Sequence, residues 1–231
     1  PMNDLFVESV FFGVVLSLVA YEAGVQLKKR INFILFNPLL LAIAITMVVL
    51  LACHVDYDTY YEGAKYLSYL LTPATVCLAI PLYEQMELLK GNWKAIVVGI
   101  CTGVLTSLTS VLVFSLVAGL NHKQYVTMLP KSITTAIGMG VSEELGGYVT
   151  ITVAVIVITG LFGNMIAETI CKVFRIEEPI AKGIAIGSSA HAMGTSKAME
   201  MGDVEGAMSS LSIAVAGLLT VVGASVFANF I

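Results

Sequence analysis

Residues Gly183–Glu200 read GIAIGSSAHAMGTSKAME. In a very apolar chain they gather three Gly, three Ser, one Thr, a His and a Lys. A lipid-facing helix gains little from such residues. A segment that unwinds part-way through a membrane needs them, because its freed backbone groups must be covered by protein or by a polar cavity. Ser188, Ser189 and Thr195, with the amides near Gly194, could hold a carboxylate, and the amino end of a half-helix favours negative charge. The alternative is plain interhelical packing of small hydroxyls. His191 could bond an anionic ligand or relay a proton, since small shifts carry an imidazole across neutral pH. It could equally be a structural His bonded to a carbonyl that the break sets free.

Two further blocks could contribute. Thr72, Pro73 and Thr75 form a second candidate break, in which Pro73 removes a backbone bond and two hydroxyls flank it. Lys131, Ser132, Thr134 and Thr135 open the stretch LPKSITTAIGMGVSEELGG (129–147), which is too short and polar for an ordinary span and reads as re-entrant. Lys131 could neutralise an anion or snorkel to the interface. Gly99 and Gly103, four apart, offer a close-packing face.

These blocks must be positioned by membrane helices. Of 231 residues, 58% are apolar and 12% charged, with a mean hydropathy of +0.91; a soluble domain carries about twice that charge. The expected fold is an all-α polytopic membrane protein with inverted repeats, two discontinuous transmembrane helices and a re-entrant segment. Apolar runs are expected at 5–26, 33–53, 66–83 (interrupted by Pro73 and Pro81), 95–120, 148–173 and 207–231, with an acidic, Tyr-rich loop at 56–62. One domain is expected over 1–231, with halves of about 1–121 and 122–231. No cleavable signal peptide is expected. Placing the amino terminus outside puts eight Lys and Arg inside against four elsewhere. Written above one another, Pro73–Phe114 and Gly187–Phe227 share a polar break, an acidic connector and a Gly/Ser/Thr-dotted span. In that topology the two copies run in opposite directions.

Several functions are disfavoured. The net charge of −4 and the lack of a Lys/Arg cluster argue against nucleic acid. Cys53, Cys77, Cys101 and Cys171 have no CxxC spacing and read as packing residues. No metal set, nucleotide fingerprint or GxSxG elbow is present, so neither a cofactor nor catalysis is expected.

The blocks LTPATVCLAIPLYEQ (71–85), 129–147 and IGSSAHAMGTSKAMEMGDVEGAMSSLSIAVAGLLT (186–220) resemble the LrgB/CidB family of bacterial inner-membrane proteins, over nearly the whole chain. That family is similar to the carboxy-terminal half of the plastid glycolate/glycerate translocator. One departure is Ala136, where many relatives carry Pro. The resemblance implies one of two activities. The first is transport of a small monocarboxylate anion of the glycolate, glycerate, lactate or pyruvate class, possible proton coupling included. The second is antiholin-like regulation of murein hydrolase activity and autolysis with an LrgA/CidA-type membrane partner. It also implies a multi-pass protein of the bacterial inner (plasma) membrane; a homodimer is expected because a mobile bundle needs a scaffold. The site residues are expected from their chemistry alone.

Overall fold

A computed structural model describes residues 11–31, 36–77 and 79–231. Among them every regular element is helical. Contacts divide the chain into two compact units, 1–77 and 78–231.

The first unit contains α1 (Phe12–Arg30), α2 (Pro38–Ala52), α3 (Tyr57–Ser68) and α4 (Leu71–Cys77). Asn37 starts α2 by accepting from the amides of Leu39 and Leu40 at 2.9 and 3.3 Å, with Pro38 in the first turn. Gly13 lets α1 approach the backbone of α3 at Tyr60 and Ala64, and Ser17 bonds the Tyr60 hydroxyl at 2.7 Å. The acidic, Tyr-rich stretch expected as a loop is therefore helical. Its physical support is this packing, a Glu62–Lys65 ion pair one turn apart, and stacking of Tyr57 on Tyr61 at 5.8 Å.

The second unit contains α5 (Ala79–Glu84), α6 (Met86–Ala118), α7 (His122–Met128), α8 (Thr135–Glu144), α9 (Val149–Val173), α10 (Pro179–Met201) and α11 (Asp203–Phe227), closed by a 3-10 turn at Ala228–Phe230. Among the described residues three helices are long and apolar enough to cross a membrane: α6, α9, and α11 with its closing turn. On α6 the buried residues Ile96, Ile100, Val104, Leu108, Val111 and Ser115 recur every three or four positions, which gives one stripe facing the core. The expected run at 66–83 is not one helix. It is divided among the end of α3, α4 and α5, and α6 starts at Met86, well before the expected Ala95.

Glycines bring three helices into close register. A Cβ at Gly99 would lie 3.2 Å from Ile184 Cγ2, and one at Gly103 would lie 2.7 Å from Ser188 Oγ. One at Gly183 would lie 2.7 Å from Met208 Cβ, and one at Gly187 would lie 2.8 Å from both Ser209 Cα and Ser212 Cβ. The contacts ascend together on all three elements. So α6, the first part of α10 and the start of α11 run in one direction, unlike the opposed copies expected from Pro73–Phe114 and Gly187–Phe227.

Candidate functional site

A groove of about 700 Å³ lies within the second unit, between α6 and the first part of α10. That is a usual size for a small-molecule site, about 300–1,000 Å³. Thr102, Thr106 and Ser107 of α6 line one wall, Ser188 and Ser189 of α10 the other, and Lys131 and Ser132 close it. A second cavity of about 460 Å³ lies between α9 and α10, mostly apolar, and Lys131 and Ser189 border it as well. Lys131 thus stands where the two spaces approach each other.

The position of Lys131 follows from local structure. Asn121 and Gln124 form a capping box that starts α7. Pro130 follows the helix, and the chain runs without regular structure until Thr134, extended at ψ 147, starts α8. The pair α7 and α8 is fastened to α9 by Thr152, whose hydroxyl lies 2.9 Å from the Thr127 carbonyl and 2.7 Å from Ser142 Oγ. At the non-helical turn Lys131 Nζ donates to Ser132 Oγ at 2.9 Å, and Ser107 Oγ donates to the same oxygen at 3.0 Å. Lys131 has no acidic partner within 4.0 Å among the described residues. That single bond leaves ammonium protons free to donate elsewhere; the acidic residue lining the same groove is Glu178, at the start of α10, and it is not within 4.0 Å of Lys131. An ammonium in an apolar bundle is costly without a counter-charge, so this geometry suits a small anion.

On α10, Ser188 Oγ donates to the Ile184 carbonyl at 2.7 Å and Ser189 Oγ to the Ala185 carbonyl at 2.6 Å. Each hydroxyl presents its lone pairs to the groove and can rotate to donate. His191 is set differently. Its φ of 43° and ψ of −141° are not helical, and they separate two helical stretches of α10. Its ring is buried and its Nε2–H donates to the Ile156 carbonyl of α9 at 3.0 Å. Gly160 makes room for it: a Cβ there would lie 2.6 Å from His191 Cε1. Backbone groups freed by the turn find partners. Asn164 Nδ2 donates to the Met193 carbonyl at 2.7 Å, and Thr195 Oγ1 donates to the His191 carbonyl at 3.0 Å. Thr195 also bonds Ser209 Oγ of α11 at 2.7 Å.

Of the residues expected to form the site, Lys131, Ser132, Ser188 and Ser189 therefore come together in one groove. His191, Gly194 and Thr195 lie beyond it, holding α10 to α9 and α11 or to itself, and Thr134 and Thr135 begin α8. Pro73 is exposed on α4 in the other unit, and the side chains of Thr72 and Thr75 lie outside the described residues. Thr102, Thr106 and Ser107 were not singled out from the sequence. Their signal was present in Thr102 and Thr106, hydroxyls four apart on one face of a span, with Ser107 next to the second. Gly99 and Gly103 do form the close-packing face expected of them.

A separate charged cleft lies at the ends of α9 and α10. Lys197 pairs with Glu168 at 3.4 Å and Glu200 at 3.2 Å, and Lys182 pairs with Glu205 at 3.8 Å.

Comparison with known proteins adds a family. The LrgB-like family matches residues 17–230. Three relatives named antiholin-like protein LrgB, from Bacillus mycoides (strain KBAB4), Bacillus cereus (strain B4264) and Bacillus anthracis (strain CDC 684 / NRRL 3495), are each 38% identical over 222 residues. The alignments cover 96% of this chain and 96% of each relative. No solved structure matches the chain.

Proposed function

The chain belongs to the LrgB-like family, and we propose that it acts as an antiholin-like membrane protein that restrains murein hydrolase activity and autolysis, together with a small LrgA/CidA-type partner. The observation that carries this reading is likeness to relatives of that name across 96% of both chains. The test is complementation. A Bacillus strain lacking its own LrgB-like protein receives this chain, with and without the partner, and detergent-induced lysis is followed by turbidity. Slower lysis with the chain present is expected. Lysis as fast as with empty vector, partner included, refutes the reading.

A second reading is favoured by the groove. Lys131, without an acidic partner among the described residues and beside Ser132, Ser188 and Ser189, supports passage of a small monocarboxylate of the pyruvate or glycolate class. The autolysis effect then follows from movement of carbon acids across the membrane. His191, the residue considered for proton coupling, is not among the residues lining the groove and holds its Nε2–H on the Ile156 carbonyl. Uptake of radiolabelled pyruvate and glycolate into proteoliposomes tests this. Saturable uptake by the wild type that is lost in Lys131→Ala is expected; absence of uptake under any imposed gradient refutes it.

A further inference from the structure

The second unit holds an internal likeness unlike the one drawn between its α6 and α11. Shift the chain by 56 residues, so that Ser132 falls on Ser188. Without a gap, Ser132, Ala136, Gly138, Glu144 and Gly146 then meet Ser188, Ala192, Gly194, Glu200 and Gly202, five identities in fifteen positions.

The contacts follow the same shift. A Cβ on Gly138 would face the Pro130 carbonyl at 3.5 Å, and one on Gly194 would face the Ile186 carbonyl at 3.2 Å. The Thr127 carbonyl meets Thr152, and the shifted pair, Gly183 and Met208, is also in contact. In each case two short helical arms precede one long apolar helix, α7 and α8 before α9, and the two stretches of α10 before α11.

The arms of α10 fold back on each other. In a straight helix residues 183 and 199 would be about 24 Å apart. Yet Gly183 abuts the Glu205 carbonyl and Ser209 amide, while Met199 abuts Gly206. The reversal falls at His191. Directions then follow. From His191 to Lys197 the second arm runs along α9 from Ile156 to Glu168 in the same sense. Against α11 it runs in the opposite sense, with Thr195 beside Ser209 and Met199 beside Gly206. So α9 and α11 are antiparallel.

We propose that His122–Val173 and Pro179–Phe227 are inverted copies of one unit, a hairpin followed by a spanning helix. Their hairpins enter from opposite faces of the membrane and present Ser132 and Ser188 as paired ligands of one carboxylate held by Lys131. The ligand half rests on the carrier reading above. The two serines meet neighbouring rungs of α6, Ser107 and Gly103, about 6 Å apart along the axis. Paired breaks in inverted copies are where transporters place a substrate at the midplane. In this arrangement Pro179–Met201 does not cross the membrane. Glu177 and Glu200 share one face. His122, bonded through Nδ1 to the Ile231 carbonyl at 2.6 Å, lies with Asn229 on the other.

The test uses the full chain with its four native cysteines replaced, reconstituted in oriented vesicles. Single cysteines at Glu177, Glu200, His122 and Asn229, all exposed, are labelled with an impermeant maleimide from each side. Labelling of Glu177→Cys and Glu200→Cys from one face, and of His122→Cys and Asn229→Cys from the other, is expected. Labelling of Glu177→Cys and Glu200→Cys from opposite faces overturns the inversion. For the ligand half, Ser132→Ala and Ser188→Ala should each raise the half-saturating pyruvate concentration five- to tenfold, by similar factors. A change in only one overturns the pairing. If the wild type takes up neither pyruvate nor glycolate, the ligand half falls together with the carrier reading, while the labelling pattern judges the inversion by itself.

Discussion

Replacing Gly187 by Ala should destabilise the second unit, whereas the same change at Gly91 should stabilise it. Both glycines are inside helices, so each substitution gains about 0.5–1 kcal/mol of backbone entropy. At Gly91 nothing lies within 4 Å of the added methyl, and the gain stands alone. At Gly187 the methyl would meet the Ser209 carbonyl oxygen, with Ser209 Cα and Ser212 Cβ both at 2.8 Å. Two of these are backbone atoms of α11 and cannot rotate away. Overpacking of this kind costs about 1–3 kcal/mol, and a rigid neighbour places it at the upper end. The net is about 2 kcal/mol lost at Gly187. For a domain of this size that lowers the thermal midpoint by about 4–8 °C, while Gly91→Ala raises it by about 1–4 °C. The assay is heating in detergent followed by the monodisperse fraction on size exclusion. A midpoint for Gly187→Ala equal to or above that of Gly91→Ala refutes the packing of α10 on α11 and with it the reasoning from glycine faces.

Other outcomes follow from the same contacts. Thr152→Val removes a buried hydroxyl bonded to Ser142 and the Thr127 carbonyl and should cost about 1–3 kcal/mol, read as a lower midpoint in the same heating assay. Lys182→Ala leaves Glu205, with a side chain only 10% exposed, without its partner, whereas Lys172 is 74% exposed. Lys182→Ala should therefore lower the midpoint clearly, and Lys172→Ala should change it by less than about 1 kcal/mol equivalent. Gly160→Ala should expel the His191 ring, and the double variant Gly160→Ala/His191→Ala should recover part of the lost stability; additive losses would contradict the contact.

Much of the helical, membrane-class character was legible in composition alone, because an apolar chain with so few charges has few alternatives. The groove was half legible. Lys131, Ser132, Ser188 and Ser189 stood out as polar residues in apolar surroundings. Thr102, Thr106 and Ser107 did not, since hydroxyls scattered along a span read as ordinary packing until a facing helix is known. His191 illustrates a different limit. Its residue type pointed to chemistry, yet one positive φ turns the ring toward the Ile156 carbonyl and away from the groove. No local pattern encodes that direction. The helix at Tyr57–Ser68 was missed because much of its support comes from a partner, the Gly13 face of α1, which adds to its own Glu62–Lys65 and Tyr57–Tyr61 contacts.

The most direct measurement is the rate of detergent-induced lysis in a Bacillus strain without its own LrgB-like protein, carrying either the wild-type chain or Lys131→Ala at matched membrane levels. The account predicts slower lysis with the wild type and lysis near the empty-vector rate with Lys131→Ala. Equal protection by both chains would contradict a working groove, and no protection by the wild type would contradict the antiholin-like role itself.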